Sequence, residues 1–206
     1  MQKVITYIDG FNLYFGLCAA GLRKYLWLNV QQLTLNLLKP GQLLVCTKYF
    51  TSRVSDTPTD TQKSKRQGVY IEALQTLPDV HLFFGHYLKK QARCRQCHAV
   101  WQTYEEKMTD VNIAVEMMTD AHINAFDVAL IVSGDSDLAG PVQAIRRLYQ
   151  DKRVVIAFPP KRHSLRLREE ADASFVIGRK QFKISQFPNA VLKEDGHILN
   201  KPLSWT

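Results

Sequence analysis

Short runs of β-branched and aromatic residues alternate with longer amphipathic segments along most of the chain. This alternation restricts the fold more than any other sequence feature. Strands are expected at 3–8 (KVITYI), 43–51, 80–88, 127–133, 153–158 and 174–177. Helices are expected between them, at 11–20, from Asn29 to Leu38, at 60–77, 105–122, 138–149 and 164–171. Parallel strands need long crossovers and helices supply them, so the pattern predicts a mainly parallel sheet between two helical layers. The nearly continuous apolar run 127–133 (DVALIVS) suits a central strand covered on both faces. Met108, Val111, Ala114, Val115 and Met118 recur at helical spacing and predict the buried stripe of the long helix. From about Gly178 the pattern lapses into a basic extension, residues 179–206, of which 185–206 read as a tail packed on the surface or partly disordered.

At 206 residues, 46% of them hydrophobic, the chain has enough apolar material for one ordinary domain. It contains no apolar run near the ~20 residues that span a bilayer and no signal-peptide core, so no membrane association and a cytoplasmic location are expected. Lys and Arg outnumber Asp and Glu 27 to 19, a formal charge of +8, which favours a polyanionic partner, first of all RNA. The G-x-G-x-x-G and G-x-x-x-x-G-K-[ST] phosphate loops are absent, as is a G-x-S-x-G nucleophile elbow.

The chemistry-bearing residues gather at predicted strand ends, where open α/β sheets bind their ligands. Asp9 follows the first strand, with Asn12 one turn on. Ser133, Asp135, Ser136 and Asp137 follow the central strand in the segment SGDSD. Asp110 lies in the first turns of the long helix. Taken singly, each has a plain structural reading, since an Asp or Ser after a strand commonly caps the next helix. Taken together, carboxylates converging on neighbouring strand tips repel unless a cation lies between them or one is protonated. Mg²⁺ or Mn²⁺ is the economical countercharge. Ser133 and Ser136 are then candidates to bind a substrate phosphate or steady the carboxylates. A phosphatase using Asp9 as nucleophile is a weaker alternative, because such enzymes usually carry an acid two residues on, where this chain has Phe11.

Tyr7-Ile8-Asp9-Gly10-Phe11-Asn12-Leu13-Tyr14, Glu106-Lys107-Met108-Thr109-Asp110-Val111 and Val132-Ser133-Gly134-Asp135-Ser136-Asp137-Leu138 occur in that order. In these three segments the chain resembles the NYN domain family, the LabA-like branch of the PIN-superfamily ribonucleases. The resemblance spans about residues 3–178. It implies a PIN-like Rossmannoid three-layer α/β/α sandwich with a mainly parallel central sheet, and a nuclease domain over 1–178; the basic, Cys-containing insertion at about 88–104 and the extension after 178 lie outside the family's general core. It further implies a metal-dependent endoribonuclease in which Asp9, Asp110, Asp135 and Asp137 bind Mg²⁺ or Mn²⁺, Asn12 assists, and cleavage leaves a 5′-phosphate and a 3′-hydroxyl. Some relatives are thought to act as RNA-binding regulatory modules with little or no cleavage, which is the alternative function.

Candidates for phosphate contact are Lys65 and Arg66 after the second strand, Lys89, Lys90 and Arg93 in the insertion, and Lys161 and Arg162 after strand 153–158. Arg146 and Arg147 read as a solvated helix face. Tyr14, Trp101 and Tyr104 are candidates to stack on unpaired bases, against the commoner role of aromatic residues in a core. Cys18 and Cys46 lie in apolar stretches and read as reduced and buried. Cys94 and Cys97 have the C-x-x-C spacing of half a zinc site; His81, His86 or His98 would have to complete it, or a second subunit in a homo-oligomer. A basic hairpin without metal is the simpler reading of this segment.

Overall fold

The computed structural model describes residues 1–205, with side chains described for all of these except 87–90 and 101–107. In chain order the elements are β1 (Gln2–Asp9), α1 (Gly10–Ala19), α2 (Val30–Leu37), β2 (Gln42–Thr51), α3 (Lys63–Gln75), β3 (Val80–Phe84), β4 (His86–Arg93) and β5 (Val100–Lys107). They continue with α4 (Thr109–His122), β6 (Val128–Val132), α5 (Ala139–Leu148), β7 (Arg153–Phe158), α6 (Leu165–Glu170), β8 (Ala173–Val176), α7 (Arg179–Ile184), β9 (Ala190–Leu192) and β10 (Ile198–Asn200). Six strands form one sheet in the order β3-β2-β1-β6-β7-β8, every pair parallel. The expected three-layer α/β/α architecture is the one observed.

The period-2 alternation of the central strands feeds two cores. Val4, Ile8, Val128, Leu130 and Val132 face α1, α2 and α3, packing on Leu13, Leu17, Leu33 and Leu74. Ile5, Tyr7, Ala129 and Ile131 face α4, α5 and α6, packing on Ile113, Met117, Val142, Ile145 and Leu167. Each such Leu, Ile or Val taken out of water stabilises the fold by about 1.5–3 kcal/mol. Residues of β1 and β6 therefore read as continuous apolar runs because both faces are covered.

Three expectations are corrected. The long helix starts at Thr109 rather than 105, because residues up to Lys107 form β5, which pairs with β4 as a separate antiparallel hairpin. Met108 ends the strand in the left-handed region (φ 78). The buried stripe of α4 is Thr109, Ile113, Met117, Asp120 and Ala121; Val111 and Val115 are more than half exposed, and Met108 nearly so. The basic extension is not a surface tail. Phe182, Phe187, Val191, Leu199 and Trp205 belong to the first core, and Trp205 stands 6.4 Å from Trp27 and 5.8 Å from Tyr70, ring centre to ring centre. The Trp27 indole N–H is satisfied by the Pro188 carbonyl at 2.7 Å.

A buried ionic cluster, not foreseen from the sequence, fastens α4 to the sheet. The Lys48 ammonium lies 2.6 Å from Asp120 and 2.7 Å from Glu116, and the Tyr7 hydroxyl donates to Asp120 at 2.6 Å. Burial alone would lower the Lys48 pKa, but its hydrogen bonds to Asp120 and Glu116 outweigh that and raise it. Among the described residues no helix is long and apolar enough to cross a membrane.

Candidate functional site

The register of the sheet determines where the acids sit. Ile8 of β1 pairs with Val132 of β6, so Asp9 and Ser133 leave adjacent parallel strands side by side. Asp9 is buried, 5% exposed. Its Oδ1 accepts the Asn12 backbone N–H at 2.9 Å, and its Oδ2 accepts the Ser133 hydroxyl at 3.0 Å. The Ser133 Oγ in turn accepts the Asp135 N–H at 3.1 Å. Asp135 Oδ1 accepts the Asp137 N–H at 3.0 Å, capping a 3-10 turn at Ser136–Leu138. Thus Asp9 caps α1 and is also tied, through Ser133, to the β6 loop.

Asn12 is placed to hold that loop. Its side-chain oxygen accepts the Gly134 N–H at 2.9 Å, so this oxygen is occupied by protein. Gly134 is required here by contact. A Cβ at this position would stand 2.8 Å from the Arg162 carbonyl carbon, which is backbone and cannot swing away. Gly10 is under similar pressure, since a Cβ there would come within 2.6 Å of the Tyr49 ring and hydroxyl and 2.8 Å of the Phe50 oxygen. The loops after β1, β6 and β7 therefore meet as a close-packed rim.

The carboxylates differ in setting. Asp135 is half-buried beside Asp9, Asp137 is exposed on the 3-10 turn, and Asp110 is half-buried in the first turn of α4, which packs near that turn. Among the described residues no three His, Cys, Asp or Glu side chains stand close enough to hold one ion. The Asp9 carboxylate and the Asp135 backbone N–H are linked through the Ser133 hydroxyl. The donors at this rim are carboxylate, amide and hydroxyl oxygens, which suit Mg²⁺ or Mn²⁺; Mg²⁺ commonly uses one or two carboxylates and keeps several waters. Burial, and then the Asp9 charge, push the Tyr49 hydroxyl above its ordinary pKa, which places Tyr49 within the field of the site.

A pocket opens beside Gly10. Phe11, Tyr14, Phe15, Tyr49 and Tyr70 supply aromatic walls, and Lys63 and Arg66 stand among its lining. Arg66 is engaged by Asp60. Lys65 is exposed and does not line the pocket, so Lys63 takes the place the sequence suggested for it. The α3 spacing carried the signal for Lys63, which lies one turn before Gln67, so that residues 63 and 67 share the helix face that lines the pocket.

Lys161 is exposed in a left-handed turn (φ 58), and Arg162 lies against Gly134 with its guanidinium 5.8 Å from the ring centre of Phe15, a wall of the pocket. The Arg162 Nε is buried without a hydrogen-bond partner among the described residues. Ser136 is exposed at the start of the 3-10 turn. Arg93 is exposed near the tip of the β4–β5 hairpin. The side chains of Lys89, Lys90, Trp101 and Tyr104 lie outside the described residues.

Comparison with known proteins agrees with this architecture. The family model of the NYN domain matches residues 3–178. A curated relative, 6-hydroxy-3-succinoylpyridine 3-monooxygenase HspA of Pseudomonas putida (strain DSM 28022 / S16), is 30% identical over an alignment covering 74% of this chain. The matched part spans 58% of that relative's length. Among solved structures, a protein of unknown function, VPA0982 from Vibrio parahaemolyticus RIMD 2210633, superposes with a TM-score of 0.54 at 21% identity, covering 86% of this chain and 94% of its own. That likeness speaks for the fold alone.

Proposed function

Because the chain belongs to the NYN domain family, and because the Ser133 hydroxyl ties the Asp9 carboxylate to the Asp135 backbone N–H at the tips of adjacent parallel strands, we propose a metal-dependent endoribonuclease acting on unpaired RNA. The single observation that carries this reading is that hydroxyl, which donates to the Asp9 carboxylate and accepts the Asp135 backbone N–H, bringing both residues to one lip of the sheet. Asp9 and Asp135 would hold a Mg²⁺ or Mn²⁺ ion, with Asp110 and Asp137 completing its surroundings through water. When bound, the ion would neutralise phosphate charge and make a water more acidic.

The chain's own residues supply the rest. Arg162, with its unsatisfied buried Nε, is the candidate to receive a phosphate oxygen as charge builds in the transition state. The aromatic pocket beside Gly10 is the candidate to take one unstacked base, with Lys63 and Arg66 near its phosphate. Such a pocket has no use for a base locked in a duplex. The +8 charge gathers the polymer, and the acids act where the chain is cut.

The test is cleavage of end-labelled single-stranded RNA in Mg²⁺, in Mn²⁺ and in excess EDTA, with Asp9→Asn and Asp135→Asn beside the parent. Cleavage that is lost in EDTA and in both variants supports the assignment; undiminished cutting by Asp135→Asn, or in EDTA, overturns it. A second reading, an RNA-binding regulatory module, is favoured by one observation: no three acids are assembled into a ligand set among the described residues. It predicts tight binding of RNA that stays intact. A pyridine, like a nucleobase, is a flat nitrogen heterocycle, so a free heterocycle competing with RNA for the pocket belongs in the same assay.

A further inference from the structure

The tip of the β4–β5 hairpin carries Cys94 and Cys97 in a tight turn. Its backbone closes through the Cys94 N–H on the Ala99 carbonyl at 2.8 Å and the His98 N–H on the Cys94 carbonyl at 3.1 Å. The Cys97 N–H points at the Cys94 sulfur at 3.5 Å, and His98, next in line, adopts a left-handed conformation (φ 55). This turn curls the chain around one sulfur and leaves both thiols free, Cys94 half-buried and Cys97 exposed. Amides aimed at sulfur favour thiolate, the form that ligates metal.

A structural zinc wants four ligands. The hairpin rules out the remote candidates. His86 pairs with Lys107 at the hairpin root, and the tip pair is Arg93 with Val100, seven steps or roughly 23 Å away. His81 lies in β3 of the main sheet, and Cys46 and Cys18 lie in the body, on β2 and α1. His98 does not close the set either, since among the described residues no three ligating side chains come together. Cys94 and Cys97 of one chain therefore stand as two ligands of an incomplete site.

We propose that Cys94 and Cys97 form half of a zinc site completed by the same two cysteines of a second copy, one Zn²⁺ being held by four thiolates between two chains. A two-fold axis through the ion presents the same patch from both sides, as closed dimers require. The charges favour it. Arg93 and Arg95 from two copies bring four positive charges to the contact, so two bare tips repel, whereas a Zn²⁺ with four thiolates carries a net charge of −2 and draws them together. Four thiol protons pass to solvent for each ion bound.

The full chain, kept reduced, is titrated with Zn²⁺ while bound metal is counted and molar mass is followed by light scattering. Co²⁺ serves as a spectroscopic stand-in. The expected result is one Zn²⁺ per two chains, a dimer that reverts to monomer on chelation, and a Co²⁺ spectrum with intense thiolate-to-metal bands. Cys97→Ser, its fold checked by circular dichroism and melting, is expected to stay monomeric and metal-free. One Zn²⁺ per monomer, no retained zinc, or a dimer indifferent to both chelator and Cys97→Ser would each overturn the proposal. None of these readouts involves RNA cleavage, so failure here leaves the nuclease reading untouched.

Discussion

The hydroxyl of Ser133 donates to the carboxylate of Asp9 at 3.0 Å while accepting the backbone N–H of Asp135 at 3.1 Å. One fully buried oxygen thus joins the ends of β1 and β6, two strands separated by more than a hundred residues of sequence. Ser133→Ala removes the link and leaves a buried carboxylate oxygen without this donor. A loss of about 1–3 kcal/mol is expected, together with a fall in RNA cleavage of at least about tenfold, the equivalent of ~1.4 kcal/mol. Urea melts and initial rates check the two effects separately.

Gly134→Ala tests the packing of the rim. The new Cβ meets Arg162 backbone at 2.8 Å, so the loops after β6 and β7 must part. Overpacking of this kind costs about 1–3 kcal/mol. Cleavage is expected to fall further than stability, because Arg162 moves relative to Asp135. Equal rates for parent and variant at 25 °C would show that the rim need not be tight.

Lys48 and Asp120 form a buried pair whose disruption should cost about 3–5 kcal/mol, since Lys48→Met strands the Asp120 charge. Lys48→Met combined with Asp120→Leu should recover much of this. The pH dependence follows from the raised Lys48 pKa. A raised folded value means the contribution is fully present below the unfolded lysine value of 10.5 and is lost as pH rises through the folded one. The stability gap between parent and Lys48→Met should therefore stay level from neutral pH into the alkaline range and narrow only above the ordinary lysine range. A gap that closes by pH 9 contradicts the assignment.

Arg162→Ala is expected to weaken RNA binding and make it less salt-sensitive. For single strands each phosphate neutralised contributes a slope of about −0.7 in log K against log salt, so losing one contact should flatten the plot by about that amount. Fluorescence anisotropy across a salt series measures it. An unchanged slope would place Arg162 in the rim's architecture rather than on the substrate.

Trp205→Ala removes a buried indole packed between Trp27 and Tyr70. Aromatic truncations of this kind cost about 3–5 kcal/mol, so a clear fall in melting temperature is expected. Ending the chain at Gly178 should leave the first core open and the product aggregation-prone, measurable as lost soluble yield and dye binding.

The catalytic candidates were readable early because an acid directly after a β-strand has little freedom: strand direction and the crossover rule send it to one edge of the sheet. That reasoning located Asp9, Ser133 and Asp135, and the spacing after β7 located Arg162. It could not foresee that the Asn12 oxygen is spent on Gly134, because that bond depends on how two loops meet. The α4 stripe shows a different limit. Val111, Val115 and Met118 satisfy helical periodicity as well as Ile113, Met117 and Ala121 do, yet the two sets start two residues apart, about 200° around the helix axis. Periodicity fixes that a face exists; only packing against Tyr7, Phe126 and the Lys48–Asp120 pair selects which.

Local chemistry was enough to dictate the strands, the helices, their α/β order and the carboxylates at strand ends, since each depends on residues within a few turns of one another. Tertiary structure alone decided that β1 lies beside β6, that Trp205 returns to cover Trp27, and that Lys48 is neutralised by α4. Those choices rest on contacts between residues more than fifty positions apart, whose energies depend on mutual burial and appear only when the chain has closed around them.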